Sequence, residues 1–328
     1  MVTEADGRGG MSETVRAHID AEPRRPRIVA IGGGKGGCGK TLVSACLGHE
    51  LARRGLKAVL VDCDLGGANL HSLLGLEYPQ KTLSDFVLRR CESLGELVVP
   101  TAAPGLGLIS GARNAIQVAN PMHQQKVRLL RAVSELDADV VVLDLGAGTH
   151  YNVVDFFLLA NDGMVIVAPE PTSVENAYRF IKATFLRRMK AVVEDHGLRE
   201  VLLGAGGHGG VTPAELLALL EAHSPVAGFA VRRELAAYRP FLVVNQTREP
   251  RDSGLGEAMV EASRRIFGVG LAHLGDLRYA DQVWRAVRAR GTDLLQGVGP
   301  LFASDVASLA TRLLAASGSG TARRHESD

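Results

Sequence analysis

Short apolar runs alternate with longer amphipathic stretches along most of the chain. The runs that read as strands are Arg27–Gly32, Lys57–Asp62, Leu106–Ser110, Val140–Leu145, Met164–Ala168, Phe241–Asn245 and Leu271–Gly275. Several, VVVLDL and MVIVA among them, are apolar without a period-two alternation. A strand reads this way when helices cover both of its faces, as in a parallel sheet. The stretches between carry helix signals. TLVSACLGHELARR follows the first run and ends at Gly55, a residue that tolerates the left-handed backbone beyond a helix. Thr172 and Glu175 fit a capping box ahead of a helix to about Val192, and Thr212 and Glu215 repeat the pattern with Pro213 at the first helical position. The pattern predicts an α/β fold: a mostly parallel sheet flanked by helices, in one domain over 27–314. Residues 195–240 break the alternation and read as an inserted helical elaboration. Residues 1–26 lack apolar periodicity and read as a disordered arm, and residues 315–328, AASGSGTARRHESD, as a flexible tail.

Composition narrows the function classes. The chain has 328 residues, 46% hydrophobic and 22% charged, with a formal net charge of +1. A protein that mainly coats nucleic acid is usually more basic, so DNA binding is not expected. No apolar run approaches the ~18 residues of a membrane span, and the polar N-terminus is not a secretory signal. The four cysteines, Cys38, Cys46, Cys63 and Cys91, form no C-x-x-C pair, and no Cys/His cluster has zinc spacing. The ten histidines are scattered without an H-x-x-x-H pair. These features predict a reduced, cytoplasmic protein.

The candidate chemistry begins in one loop. Gly34-Lys-Gly-Gly-Cys-Gly39-Lys40-Thr41 fits G-x-x-x-x-G-K-[ST], with a β-rich run before it and an amphipathic helix after it. Glycines at Gly34, Gly36, Gly37 and Gly39 let backbone N–H groups wrap a phosphate, and the helix N-terminus adds its dipole. Lys40 is expected to neutralise the β- and γ-phosphates of ATP, and Thr41 to ligate Mg²⁺. VVVLD ends a strand at Asp144, where strand ends border the ligand crevice, so Asp144 is expected to hold Mg²⁺ through water. AVLVDCDLGGAN carries Asp62 and Asp64 on alternate positions, which point to opposite sides. One can face the crevice while the other ties down backbone. Asp64, ahead of flexible glycines, is the candidate for orienting the attacking water.

A second lysine, Lys35, opens the same loop. KGGCGKT with lysine first resembles the deviant Walker A motif of the MinD/ParA family. VDCDLGGANL is similar to that family's switch I and VVVLDLGAG to its switch II. The likeness continues through APEPTSVENAYRFIK, VVNQTR and LGDLRYADQVWRAVR, and spans roughly residues 27–314. DLGGANLHSLLG, LISGA and DLGAG most resemble the flagellar-number ATPases of the FlhG/FleN branch. The resemblance implies a doubly wound P-loop NTPase and an ATP-dependent homodimer that hydrolyses ATP slowly until a partner stimulates it. It implies that Lys35 reaches across the dimer to phosphate bound by the other subunit, and that Asn245 contacts the base. It implies a role in positioning or regulating another component, with an FlhF-like GTPase or a transcription regulator as partner types. A peripheral place at the inner face of the membrane is also implied. Alternatives are a P-loop enzyme acting on a small molecule and a DNA-associated partition ATPase.

Four further expectations come from single positions. Cys38, where the family usually has a small aliphatic, should pack as a small hydrophobe; the alternative is a thiol acidified by Lys40. Val306, Leu309, Ala310, Leu313 and Leu314 form an apolar stripe expected to pack on the core rather than on a membrane, since Arg312 is the one basic residue of that helix. Lys182, Arg187, Arg188 and Lys190 read as a solvated face. Trp284, Phe156 and Phe157 read as core. The leucine-rich helix from Thr212 to His223 reads as core or lid, with a partner surface as the alternative.

Overall fold

The computed structural model describes residues 25–64, 67–111, 123–195, 213–289 and 294–317. The arm expected over 1–26 and the tail over 315–328 therefore lie almost wholly outside the described residues, as does the capping residue Thr212. Strand β1 (Arg27–Gly32) runs through the glycine loop into helix α1 (Lys40–Arg53). Then come β2 (Ala58–Asp62), the short helices α2 (Leu70–Leu73) and α3 (Leu83–Val87), β3 (Val99–Pro100) and β4 (Leu106–Ile109). Helix α4 (His123–Ser134), β5 (Val140–Asp144), α5 (Tyr151–Leu159), β6 (Asp162–Val167) and α6 (Pro171–Asp195) follow. The last part holds α7 (Pro213–His223), α8 (Pro225–Ala237), β7 (Phe241–Thr247), α9 (Leu255–Phe267), β8 (Ala272–Arg278), α10 (Asp281–Ala289), α11 (Leu294–Gly297) and α12 (Pro300–Ser317).

The strands form one sheet in the order β3-β4-β2-β5-β1-β6-β7-β8. Every pairing is parallel except β3 with β4. This is the expected doubly wound, mostly parallel architecture. Both faces are covered, which is why the strands read as unbroken apolar runs. Ala30, Val61, Val141, Leu143 and Val165 pack with Phe156, Phe157, Phe180 and Phe185 on one side. Val29, Ile31, Leu60, Val142 and Ile166 pack with α1 and α12 on the other. Phe156 and Phe157 are core residues, as expected.

The register sets up the site. Ile31 pairs with Asp144, and Asp62 pairs with Asp144 from the other side. The carboxyl ends of β1, β2 and β5 thus finish level, with the glycine loop and two aspartates at one edge. This is the crevice at the switch point of an open α/β sheet.

Three sequence expectations change. The edge strand β3 was not anticipated, because two residues carry no periodicity. Helix α6 starts at Pro171, one residue before the expected cap, so Thr172 is inside the helix and its hydroxyl serves another partner. Ser173 occupies the local role instead, its Oγ accepting from the Ala168 N–H at 3.0 Å. Trp284 is not core: it is 58% exposed. The stretch over 195–240 contains the paired helices α7 and α8, with Leu220 buried and Leu219 exposed.

Three of the four basic residues singled out on α6 are held in ion pairs, Arg187 with Asp155, Arg188 with Glu234 and Lys190 with Glu194. The stripe of α12 is spent on the core, where Val306, Leu309, Ala310 and Leu313 are buried. Arg27 and Arg54 fix that helix by donating to the carbonyls of Leu313 at 2.7 Å and Ala307 at 2.6 Å. Among the described residues no helix is long and apolar enough to cross a membrane.

Candidate functional site

The glycine loop is shaped by steric limits at both ends. At Gly34 a Cβ would sit 1.9 Å from the backbone oxygen of Asn176, so the loop leaves the sheet pressed against the first turns of α6. At Gly39 the backbone is left-handed, φ 91°, and a Cβ would meet the Asn245 side chain at 2.3 Å. Gly36 and Gly37 have open space around them, and this is where a phosphate would be wrapped.

Two neighbouring amides tie the loop down. Asn245 Nδ2 donates to the Cys38 carbonyl at 2.8 Å, and Gln246 Nε2 donates to the Gly37 carbonyl at 3.1 Å. Gln246 reaches its position with φ 65°, an uncommon conformation for a residue with a side chain. These bonds occupy the Cys38 and Gly37 carbonyls and fix the loop against the end of β7. Cys38 is buried, and burial pushes its thiol pKa up against the opposing pull of Lys40. It is packed as a small hydrophobe would be, with its thiol donating to the Lys35 carbonyl at 3.4 Å.

The two lysines have separate places. Lys40 is buried, and its Nζ donates to the Lys35 carbonyl at 3.0 Å, inside the curve of its own loop. Lys35 lies at the rim. Its Nζ donates to Glu170 Oε2 at 2.7 Å and to Thr172 Oγ1 at 2.9 Å. The sequence reading named neither Glu170 nor Thr172 for this role; the signal available was a Glu and a Thr directly ahead of a helix, which looks like ordinary capping.

The aspartates converge as the strand ends predict. Asp144 is buried, with Ser44 Oγ at 2.9 Å from its Oδ1 and the Thr41 hydroxyl also bonded to it. Burial pushes Asp144 up to about 6, against the pull of Ser44, Thr41 and Lys40. Asp62 is pushed up to about 7, by burial first and the Asp144 charge second. Its two oxygens accept the backbone N–H groups of Asp64 and Leu70, each at 3.1 Å. Asp62 is therefore the backbone-tying member of the pair. Asp64 accepts the Gly67 N–H at 3.0 Å, and a Cβ on Gly146 would lie 3.2 Å from its carboxyl carbon. The segment after β2 and the segment after β5 thus meet at Asp64.

The donor set suits a magnesium nucleotide. Asp144, a carboxylate raised by burial, would be relieved by a divalent cation, and the Thr41 hydroxyl is bonded to it. Beside the loop, Asn245, Gln246 and Gly39 also border an apolar cavity of about 250 Å³. A larger hollow of about 750 Å³ lies along the β8 edge between α9 and α12. Its charges answer one another: Arg278 pairs with Asp305, and His273 with Glu257 and Asp276.

Comparison with known proteins agrees with this geometry. The ParA profile, described as NUBPL iron-transfer P-loop NTPase, matches residues 25–194. The chain is 31% identical to the antiactivator FleN of Pseudomonas aeruginosa over 290 residues, covering 88% of this chain and 85% of that protein. It is 33% identical to the septum site-determining protein MinD of Synechocystis over 156 residues, 47% of this chain and 58% of that protein. This second match spans little more than half of the MinD relative. In fold it resembles MinD of Pyrococcus horikoshii, solved in complex with Mg-ADP, at a TM-score of 0.60 and 19% identity, covering 89% of this chain and 98% of that one. A glycine loop ending in Lys40 and Thr41, aspartates at level strand ends and similarity along most of a FleN relative lead to one assignment: the chain belongs to the ParA family of P-loop NTPases, with MinD and FleN among its relatives.

Proposed function

We propose that this protein is an ATP-binding and ATP-hydrolysing dimerisation switch that positions or regulates a protein partner. The observation that carries the reading is the division of labour between two lysines of one loop. Lys40 is buried in the cradle, placed for phosphate bound by its own subunit. Lys35 is held at the rim by Glu170 and Thr172, where a second subunit can meet it. A cation delivered only on assembly makes both dimer formation and hydrolysis depend on the γ-phosphate, as an arginine finger does.

In this reading Lys40 neutralises the β- and γ-phosphates, and Thr41 with Asp144 holds Mg²⁺, Asp144 through water. The ion supplies charge neutralisation of the phosphates. Asp64 orients the attacking water, and Asp62 fixes the backbone that carries it. Asn245 stands at the loop on the side of the base. The Mg-ADP bound by the Pyrococcus MinD supports the choice of nucleotide and metal. The name antiactivator for FleN and septum site-determining for MinD supports a regulatory or positioning role. A cytoplasmic place is favoured because the apolar stripe of α12 is already buried. DNA binding is disfavoured because Arg187, Arg188 and Lys190 are paired. Iron transfer is disfavoured too: the four cysteines are buried and form no C-x-x-C pair.

Asp64→Ala tests the hydrolytic part. Calorimetry should show Mg-ATP bound with near wild-type affinity, while phosphate release falls by ~10²–10⁴, the range of a lost acid–base or water-orienting group. Phosphate release at the wild-type rate would remove Asp64 from the mechanism.

A further inference from the structure

Trp284 is the single tryptophan of the chain and stands 58% exposed. It projects from α10, whose apolar residues are poorly covered: Val287 is also exposed and Val283 only half-buried. These three residues border the 250 Å³ cavity, together with Leu42 of α1, Tyr279 and Phe302 of α12. Large apolar side chains left over a cavity on a well-packed protein mark a binding surface more often than a packing fault. The cavity's inner wall is Gly39, Asn245 and Gln246, the loop's last glycine and its two tethers. It is therefore continuous with the phosphate cradle. A ligand whose phosphates lie at Lys40 and Thr41 would place the flat group at its other end here.

We propose that Trp284 is a specificity-determining residue that stacks on the purine base of the bound nucleotide. The inference rests on the nucleotide reading above. Two cations prepare the aromatic wall. The Arg288 guanidinium lies over the Trp284 ring, 4.6 Å from its centroid, and that of Arg248 lies over the Tyr279 ring at 3.7 Å. Each cation–π contact restrains its ring, so less rotamer freedom is lost when a base stacks in the cavity. Stacking on an indole needs no particular hydrogen-bond pattern and grows with ring area, which favours a purine over a pyrimidine.

The test compares Mg-ADP with inorganic tripolyphosphate, which has the phosphates and no base. In calorimetry, Trp284→Ala should weaken ADP about tenfold and leave tripolyphosphate unchanged, and Trp284→Phe should recover most of the loss. Because every tryptophan photon comes from Trp284, ADP should shift the emission of the wild type while tripolyphosphate does not. A Trp284→Ala protein that binds ADP like wild type overturns the inference. So does one that loses ADP and tripolyphosphate equally, since that would be a loop effect. Wild type that binds neither ligand overturns the nucleotide reading and this inference with it.

Discussion

The phosphate side and the cavity side of this site are built in opposite ways. The phosphate side is backbone. It comes from consecutive residues, Gly34 to Thr41, held by steric limits at Gly34 and Gly39 and by amide tethers from Asn245 and Gln246. The cavity side is side chain. Leu42, Tyr279, Val283, Trp284 and Phe302 come from α1, the turn after β8, α10 and α12. Backbone recognition of phosphate tolerates almost no substitution, because its geometry is the binding site. A wall of side chains can change residue by residue and keep its shape. The first should fail abruptly when altered and the second by degrees.

The largest expected effect separates chemistry from binding on the phosphate side. Lys35→Ala removes a lysine from the rim but nothing from the cradle. Its phosphate release should fall ~10³–10⁵-fold, about 4–7 kcal/mol of barrier, with Mg-ATP affinity near wild type. An equal fall in affinity would place Lys35 in the cradle with Lys40. Gly34→Ala should be the next most severe change. Its Cβ would collide with backbone, which cannot swing away, so the loop must shift. A cost of about 2–3 kcal/mol, or ~30–150-fold in ADP affinity by calorimetry, is expected. Wild-type affinity would show that the cradle is softer than its contacts imply. Lys40→Ala removes one charged partner of the phosphates, worth ~1.5–3 kcal/mol, so ADP affinity should fall at least ~10-fold.

The smallest effect concerns the support behind the switch. Asp155 on α5 pairs with Lys126 of α4 and Arg187 of α6, tying the helix after the Asp144 segment to both neighbours. Burial alone would raise its pKa, but the bonds to Arg187 and Lys126 outweigh this and hold it below the usual range. A carboxylate lowered in the folded state contributes stability that is complete above its unfolded pKa of about 3.9 and is lost as pH falls through the folded value. Thermal melts of wild type should therefore drop below about pH 4 by more than those of Asp155→Asn, which should already be about 1–3 kcal/mol less stable at neutral pH. Parallel melting curves from pH 3 to 7 would contradict this.

The two sides were also unequally legible in the sequence. The strands, the glycine loop and the convergence of Asp62, Asp64 and Asp144 follow from local pattern, because each is written in neighbouring residues. Ser44 looked like any helix residue, yet it bonds Asp144, a hundred positions away. Thr172 and Glu170 looked like a helix start and instead hold Lys35 across the crevice. Gln246 gave no warning of its left-handed backbone. Trp284 was misread because tryptophan at helical spacing usually means core. Only the fold reveals that α10 leaves it facing the cavity beside Gly39. What local pattern misses is the pairing of segments that meet only in three dimensions.

The central claim is that γ-phosphate drives assembly through Lys35. Light scattering of the wild type and Lys35→Ala, each with non-hydrolysable Mg-ATP and with Mg-ADP, tests it most directly. The account predicts twice the 34.8 kDa monomer mass for the wild type with the ATP analogue, and monomers in the other three samples. A wild type that stays monomeric with the ATP analogue, or a Lys35→Ala protein that dimerises as the wild type does, would contradict it.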